Sequence, residues 1–252
     1  SLPWTSGAMR SAALHAWKYG GVAVAPCSGF HHAGWAEAAG FCTFNGLMVT
    51  AASLHAQGAK HIGILDCDHH FGDGTEDIID HLDASSWVTH FTAGLRFSQP
   101  RHAQAFFSEL PSVLRSMRDC DVVLYQAGAD PHVDDPLGGW LTTQQLAERD
   151  RLVFEGLAAL SVPVAWNLAG GYQRSADGSI PKVLELHDNT MRACARTDPV
   201  ANATPRLNTA RWTRDVADSF ASALTRGFGA RPSTCALIEA QLSLDVSVTF
   251  VR

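Results

Sequence analysis

Short apolar runs recur along this chain, and each ends in glycine plus polar or ionisable residues. Gly21-Val22-Ala23-Val24-Ala25 is followed closely by Gly29-Phe30-His31-His32-Ala33. His61-Ile62-Gly63-Ile64-Leu65 breaks into Asp66-Cys67-Asp68-His69-His70-Phe71-Gly72-Asp73-Gly74. Val122-Val123-Leu124-Tyr125 leads to Gln126-Ala127-Gly128-Ala129-Asp130-Pro131-His132, and Val162-Pro163-Val164-Ala165-Trp166 leads to Asn167-Leu168-Ala169-Gly170-Gly171-Tyr172. Between these strand-like runs the apolar spacing becomes helical. Residues 38–57 carry it around Leu47, Met48, Ala51 and Leu54. Residues 104–118 carry Phe106, Phe107, Leu110, Val113, Leu114 and Met117. Residues 142–160 open on Thr142 and Thr143 as N-cap candidates, and residues 180–196 follow a turn at Asp177-Gly178. Strand, helix, strand in this order predicts an α/β fold on a parallel sheet with right-handed crossovers.

Ligands of open parallel sheets bind outside the carboxyl ends of the strands. The four polar clusters are therefore expected on one rim. The densest is the segment from Asp66 to Asp73, with three carboxylates and two histidines in eight positions. Carboxylate oxygen and imidazole nitrogen both ligate Zn²⁺. Spacing of two along an extended chain points side chains the same way, so Asp66, Asp68 and His70 are expected to converge. The alternative is an acidic loop of solvated charges.

Composition narrows the class. The chain has 252 residues, 46% hydrophobic and 17% charged, enough for one α/β domain with a substantial core. A net charge of −6 argues against broad electrostatic grip on nucleic acid and leaves a cationic substrate open. Cys27, Cys42, Cys67, Cys120, Cys194 and Cys235 are scattered without a CxxC pair, which reads as reduced thiols in a cytoplasmic protein. No apolar run reaches the ~18 residues of a membrane span, so no membrane partner is expected. The chain starts on Ser1, which reads as a processed or cut N-terminus or as missing upstream sequence, and no secretory leader is evident. From residue 197 the character changes: Pro199, Ala203, Thr204 and Pro205 mark a linker-like stretch, 212–228 reads as an amphipathic helix, and 242–251 alternates like a short strand.

Five segments together resemble the zinc-dependent histone deacetylase family, in the flavour of its bacterial amidohydrolases. They are Gly29-Phe30-His31-His32-Ala33; Gly40-Phe41-Cys42-x-Phe44-Asn45; Asp66-x-Asp68-x-His70-x-Gly72-Asp73-Gly74-Thr75; Gly128-Ala129-Asp130-x-His132-x-x-Asp135-Pro136-Leu137-Gly138-Gly139; and Gly170-Gly171-Tyr172. The resemblance covers about residues 3–195. It implies a three-layer αβα architecture with a central, mostly parallel sheet, the arginase/deacetylase fold. It divides the chain into a deacetylase-like catalytic domain, 1–196, with a short N-terminal lead, and a C-terminal extension, 197–252, without an assigned role. Carried over by position, it implies Asp68, His70 and Asp130 as ligands of one catalytic Zn²⁺. His31 and His32 become the general base and acid pair, oriented by Asp66 and Asp73 respectively. Tyr172 becomes the donor to the polarised carbonyl and the oxyanion, and Gly40 and Phe41 the wall of a narrow acyl channel. A structural K⁺ or Na⁺ near the backbone of Asp66, Asp68 and His70 is also implied. The implied reaction is hydrolysis of an N-acyl amide, with acyl-lysine peptides or proteins, or acetylpolyamines, as substrates.

The chain departs from the family in places. Phe71 stands where the family usually carries histidine. Trp87-Val88-Thr89-His90 is not followed by the family's Ser-Leu-His, and the lead before His31 and the stretch from His90 to Asp130 are both short. Two other readings remain: a non-catalytic acyl-lysine or polyamine-binding relic or fragment, and a ureohydrolase with two manganese ions. The latter wants Asp-x-His-x-Asp after the strand, and the register here is Asp68-His69-His70-Phe71-Gly72. His132, His69, Asp134 and Asp135 are expected around the site, and His15, His55, His61, His81, His102 and His187 on helices or the surface.

Overall fold

The computed structural model describes residues 2–197. The expected helix at 212–228 and strand at 242–251, and with them the extension from 198 onward, lie outside the described residues.

Eleven elements follow in order: α1 (Leu2–Tyr19), β1 (Val22–Ala25), α2 (Gly46–Ala56), β2 (Ile62–Asp66), α3 (Asp73–His81), β3 (Val88–Thr92), α4 (Ala103–Ser116), β4 (Val122–Gly128), α5 (Thr143–Ala159), β5 (Val164–Ala169) and α6 (Pro181–Thr197). The strands form one sheet in the order β1-β5-β4-β2-β3, and every pairing is parallel. The inner strands β2, β4 and β5 are buried on both faces, which explains their largely apolar runs, whereas the edge strands β1 and β3 are only partly buried. The pleat sends alternate side chains to opposite sides. Ile62, Ile64, Val122, Leu124 and Ala165 pack with α1, α2 and α3. Leu65, Val123, Tyr125, Val164 and Trp166 pack with α4, α5 and α6. The result is the expected three-layer αβα arrangement.

Local chemistry sets the element ends. α5 begins on a capping box: Thr142 accepts from the Gln145 backbone N–H, and the Gln145 side chain accepts from the Thr142 N–H. The helix expected from residue 38 begins only at Gly46, capped by Asn45. Residues 39–42 instead form a tight bridge, with left-handed backbone at Gly40 (φ 51°) and Phe41 (φ 64°) that cannot continue a helix. Three elements were not expected from the sequence: α1, α3 and β3. Among the described residues, no helix is long and apolar enough to cross a membrane.

Candidate metal centre

The parallel sheet brings all four polar clusters to the carboxyl ends of β1, β2, β4 and β5, as the periodicity predicted. β2 ends at Asp66, and β4 ends at Gly128, two residues before Asp130. Asp68, His70 and Asp130 each offer one ligand atom, and these atoms lie within 4.8 Å of one another. Among the described residues this is the one group of that kind. Asp66 does not converge with them as the spacing had suggested. The extended backbone stops there, and its carboxylate turns to the histidine loop.

That loop follows β1. His31 Nδ1 lies 2.6 Å from Asp66 Oδ2, and His32 Nδ1 lies 2.6 Å from Asp73 Oδ1. The two rings sit 4.1 Å apart. The other ring nitrogen of His31, Nε2, is 3.5 Å from Asp68 Oδ1, so the dyad opens onto the ligand cluster. Residues that stand in the quoted segments but had been given no role hold this arrangement. Gln126 on β4 accepts from the Phe30 N–H at 3.0 Å and donates to Asp66 Oδ1 at 3.1 Å. Asn45 donates to the Ala33 carbonyl and to Thr75 Oγ1, both at 3.0 Å. Gly40 packs under His32: a Cβ there would stand 2.2 Å from His32 Cδ2, and the positive φ also favours glycine. Phe41 is 87% exposed, and its ring lies 5.9 Å from that of Tyr172. Tyr172 is fixed through its backbone, whose N–H donates to Asp135 Oδ2 at 2.7 Å. His132 is buried and shares its ring nitrogens among Thr143, Asp134 and Gln173. It lines the rim loop and is not one of the three clustered donors.

The electrostatics show what the cluster lacks. Asp66, Asp68 and Asp130 are all buried, against only two imidazoles, His31 and His70. Burial, and then the charge of Asp68, push Asp130 up to about 8. Burial works against charge on Asp68 too, but hydrogen bonds from His70 and the charge of His31 outweigh it and hold its carboxyl below the usual range. His70 Nδ1 lies 2.9 Å from Asp130 Oδ2, yet no donor is aligned on that oxygen, which stays buried without a hydrogen bond. Burial also opposes charge on His31, but Asp66, Asp68 and Asp130 overcome it and raise the ring to about 9. Two buried carboxylates that push each other apart in pKa, with an orphaned oxygen between them and an imidazole, form a donor set for a small divalent cation. Burial and then the nearby carboxylates push the Tyr172 phenol well above its ordinary value, so it stays an O–H donor.

Comparison with known proteins agrees with this geometry. Residues 4–97 match the model of the histone deacetylase domain. An uncharacterized protein of Picosynechococcus sp. is 28% identical over 214 residues, covering 74% of this chain and 71% of that protein. An acetylpolyamine amidohydrolase of Mycoplana ramosa is 50% identical over 48 residues, 19% of this chain and 14% of the relative. Among solved structures, an acetylpolyamine aminohydrolase from Burkholderia pseudomallei superposes with a TM-score of 0.61 at 21% identity, covering 78% of this chain and 63% of that one. A deacetylase homologue from Aquifex aeolicus gives 0.59 at 20% identity, covering 77% and 56%. The sequence given thus spans less than two thirds of either solved relative. At these identities the solved structures speak for the fold, which is the arginase/deacetylase fold.

Proposed function

We propose that this chain, whose residues 4–97 match the histone deacetylase domain, hydrolyses N-acetyl amides of amines with the help of one Zn²⁺. Acetylpolyamines, followed by acetylated lysine side chains, are the substrates this reading favours. The supporting observation is the His31–Asp66 dyad facing the Asp68–His70–Asp130 cluster across 3.5 Å.

Asp68, His70 and Asp130 would hold the ion. When bound, it supplies Lewis-acid polarisation of the amide carbonyl and acidifies the attacking water. The rest of the chemistry belongs to the chain. With positive charge among the carboxylates, the His31 ring is no longer held charged and can take a proton from water at Nε2. Asp66 fixes its tautomer by accepting at Nδ1. His32, oriented by Asp73 in the same way, stands beside it so that the pair returns a proton to the leaving amine. Tyr172 keeps its proton and donates to the oxyanion as it develops. Gly40 and Phe41 wall the approach from the His32 side, and the exposed Phe41 ring offers an apolar face to the acyl carrier.

The test is turnover of acetylputrescine, acetylspermidine, an acetyl-lysine peptide and a trifluoroacetyl-lysine reporter by the metal-stripped chain, with and without one equivalent of Zn²⁺. Turnover that appears only with zinc supports the reading, and the ranking of substrates names the carrier. A folded chain that binds zinc and cleaves none of the four would sink it.

A further inference from the structure

We propose that Arg149 is a positioning residue for the metal-ligand cluster: its guanidinium ties together the two strand ends that present Asp68 and Asp130. The inference rests on the reading of that cluster as a metal centre. Arg149 is only 1% exposed, on the face of α5 that also buries Leu146 and Val153. Its Nη1 carries two N–H groups. It donates to the Cys67 carbonyl at 3.0 Å and to the Gly128 carbonyl at 2.7 Å.

Those two carbonyls lie where the sheet gives out. The β2–β4 register ends at Asp66 opposite Gln126, and one further bond runs from the Cys67 N–H to the Gln126 carbonyl. Beyond this the ladder between the two segments ends, and the His69 N–H donates instead to Asp130 Oδ1 at 3.3 Å. The close approach there is tight: a Cβ on Gly128 would stand 2.6 Å from the Asp68 Cα and 2.9 Å from Asp130 Oδ1. A planar fork that bonds both carbonyls sets the separation of the two carboxylate-bearing segments. Ligand sites tolerate only about 0.5 Å of error in that separation.

Arg149 is itself held. Nε and Nη2 each lie 2.8 Å from Asp150 Oδ1. Asp150 also accepts from the Tyr125 hydroxyl on β4 and from Thr190 Oγ1 on α6. The guanidinium cannot swing away from the carbonyls without breaking its pairing with a buried carboxylate. A buried ion pair adds little stability over an apolar pair of similar volume, so stability alone does not account for a fork aimed at these two carbonyls.

The experiment titrates the metal-stripped chain with Co²⁺, followed by its d–d absorption, and measures Zn²⁺ affinity against a chromophoric chelator. Arg149→Lys keeps the charge that Asp150 pairs with, but one ammonium cannot span both carbonyls from that position. We expect Zn²⁺ affinity to fall by about 10–100-fold, the range for groups that support metal ligands, with an altered Co²⁺ spectrum. Arg149→Met should weaken the metal at least as much. Thr190→Val removes a hydrogen bond from the same network without touching either carbonyl, and it should lower the melting temperature while leaving Zn²⁺ affinity within about twofold. Arg149→Lys with unsubstituted affinity overturns the assignment, and so does Thr190→Val with an equal loss. If the unsubstituted chain binds neither ion, the metal-centre reading falls and takes this inference with it. If it binds both and only the variants are indifferent, Arg149 alone loses its role.

Discussion

Two buried polar clusters adjoin at the ends of β2 and β4, and they balance their charge in opposite ways. In the first, Arg149 and Asp150 are each 1% exposed, and the carboxylate collects the guanidinium, the Tyr125 hydroxyl and the Thr190 hydroxyl. Charge is matched one to one, and the donors left over find the Cys67 and Gly128 carbonyls. In the second, Asp66, Asp68 and Asp130 share two imidazoles, and Asp130 Oδ2 has no hydrogen-bond donor. Desolvated charges persist only when paired. The first cluster satisfies that rule with its own ion pair, whereas the second, without metal, meets it by keeping a proton on Asp130 and positive charge on His31 and His70, a role that the proposed ion would take over. A fully satisfied network reads as scaffold, and an anionic one on the rim of a parallel sheet reads as a site.

Several substitutions test this contrast. Removing a carboxylate should have opposite effects on the two sides. Asp130→Ala is expected to abolish zinc retention and turnover, as measured by metal content after gel filtration and by amide hydrolysis. In the metal-free chain above neutral pH, Asp130→Asn should raise the unfolding midpoint, because it removes a carboxyl whose ionisation burial and Asp68 oppose. Asp150→Ala should do the reverse and cost about 3–5 kcal/mol in denaturant unfolding, because it strands a buried guanidinium. Shifts of the same sign for Asp130→Asn and Asp150→Ala would erase the distinction between the clusters.

Tyr172→Phe separates chemistry from binding. It should lower kcat by about 10²–10³ while zinc content and KM stay close to those of the unsubstituted chain. A loss seen mainly in KM would instead place the phenol in substrate binding.

The smallest effect is a change in the sign of the pH dependence. In the metal-free fold His31 titrates near 9, above its ordinary value of 6.5. The folded state then holds more protons than the unfolded one across that interval, so the contribution of His31 is full below about 6.5 and is lost as pH rises through 9, by up to about 3 kcal/mol, in the same direction as that of Asp130. His70, raised to about 10 by Asp130 and Asp68, adds to the same direction. With zinc bound the trend should reverse over the lower part of this range, because an imidazole must be neutral to ligate. Thermal unfolding from pH 6 to 9, with chelator and with zinc, checks both limbs.

Much of this protein was legible in the order of its residues. Apolar runs that end in glycine and ionisable side chains specify strand ends. Alternation with helices makes the sheet parallel, and a parallel sheet collects those ends on one rim. The four clusters that hold His31, His32, Asp68, His70, Asp130 and Tyr172 could therefore be placed on one rim while they were still far apart in sequence, and the individual roles of these residues came from the family resemblance. The pairing of Asp66 with His31 and of Asp73 with His32 followed from the family resemblance, and the structure places both pairs at hydrogen-bond distance.

Other features depended on the tertiary fold. Residues 39–42 carry small and apolar side chains that suit a helix, but the backbone turns left-handed at Gly40 and Phe41, and Gly40 packs closely under His32. Local propensity cannot register that contact. α1 and β3 take their places from the faces and edges they cover, and their own patterns are weak. Arg149 and Asp150 did leave a trace, as charged residues at helical spacing between Leu146 and Val153 on the face that should be apolar. Spacing alone could place them inward but could not say what they meet. Only the fold puts two backbone carbonyls and a carboxylate around one guanidinium, because buried polar groups are satisfied by partners that the sequence does not place beside them.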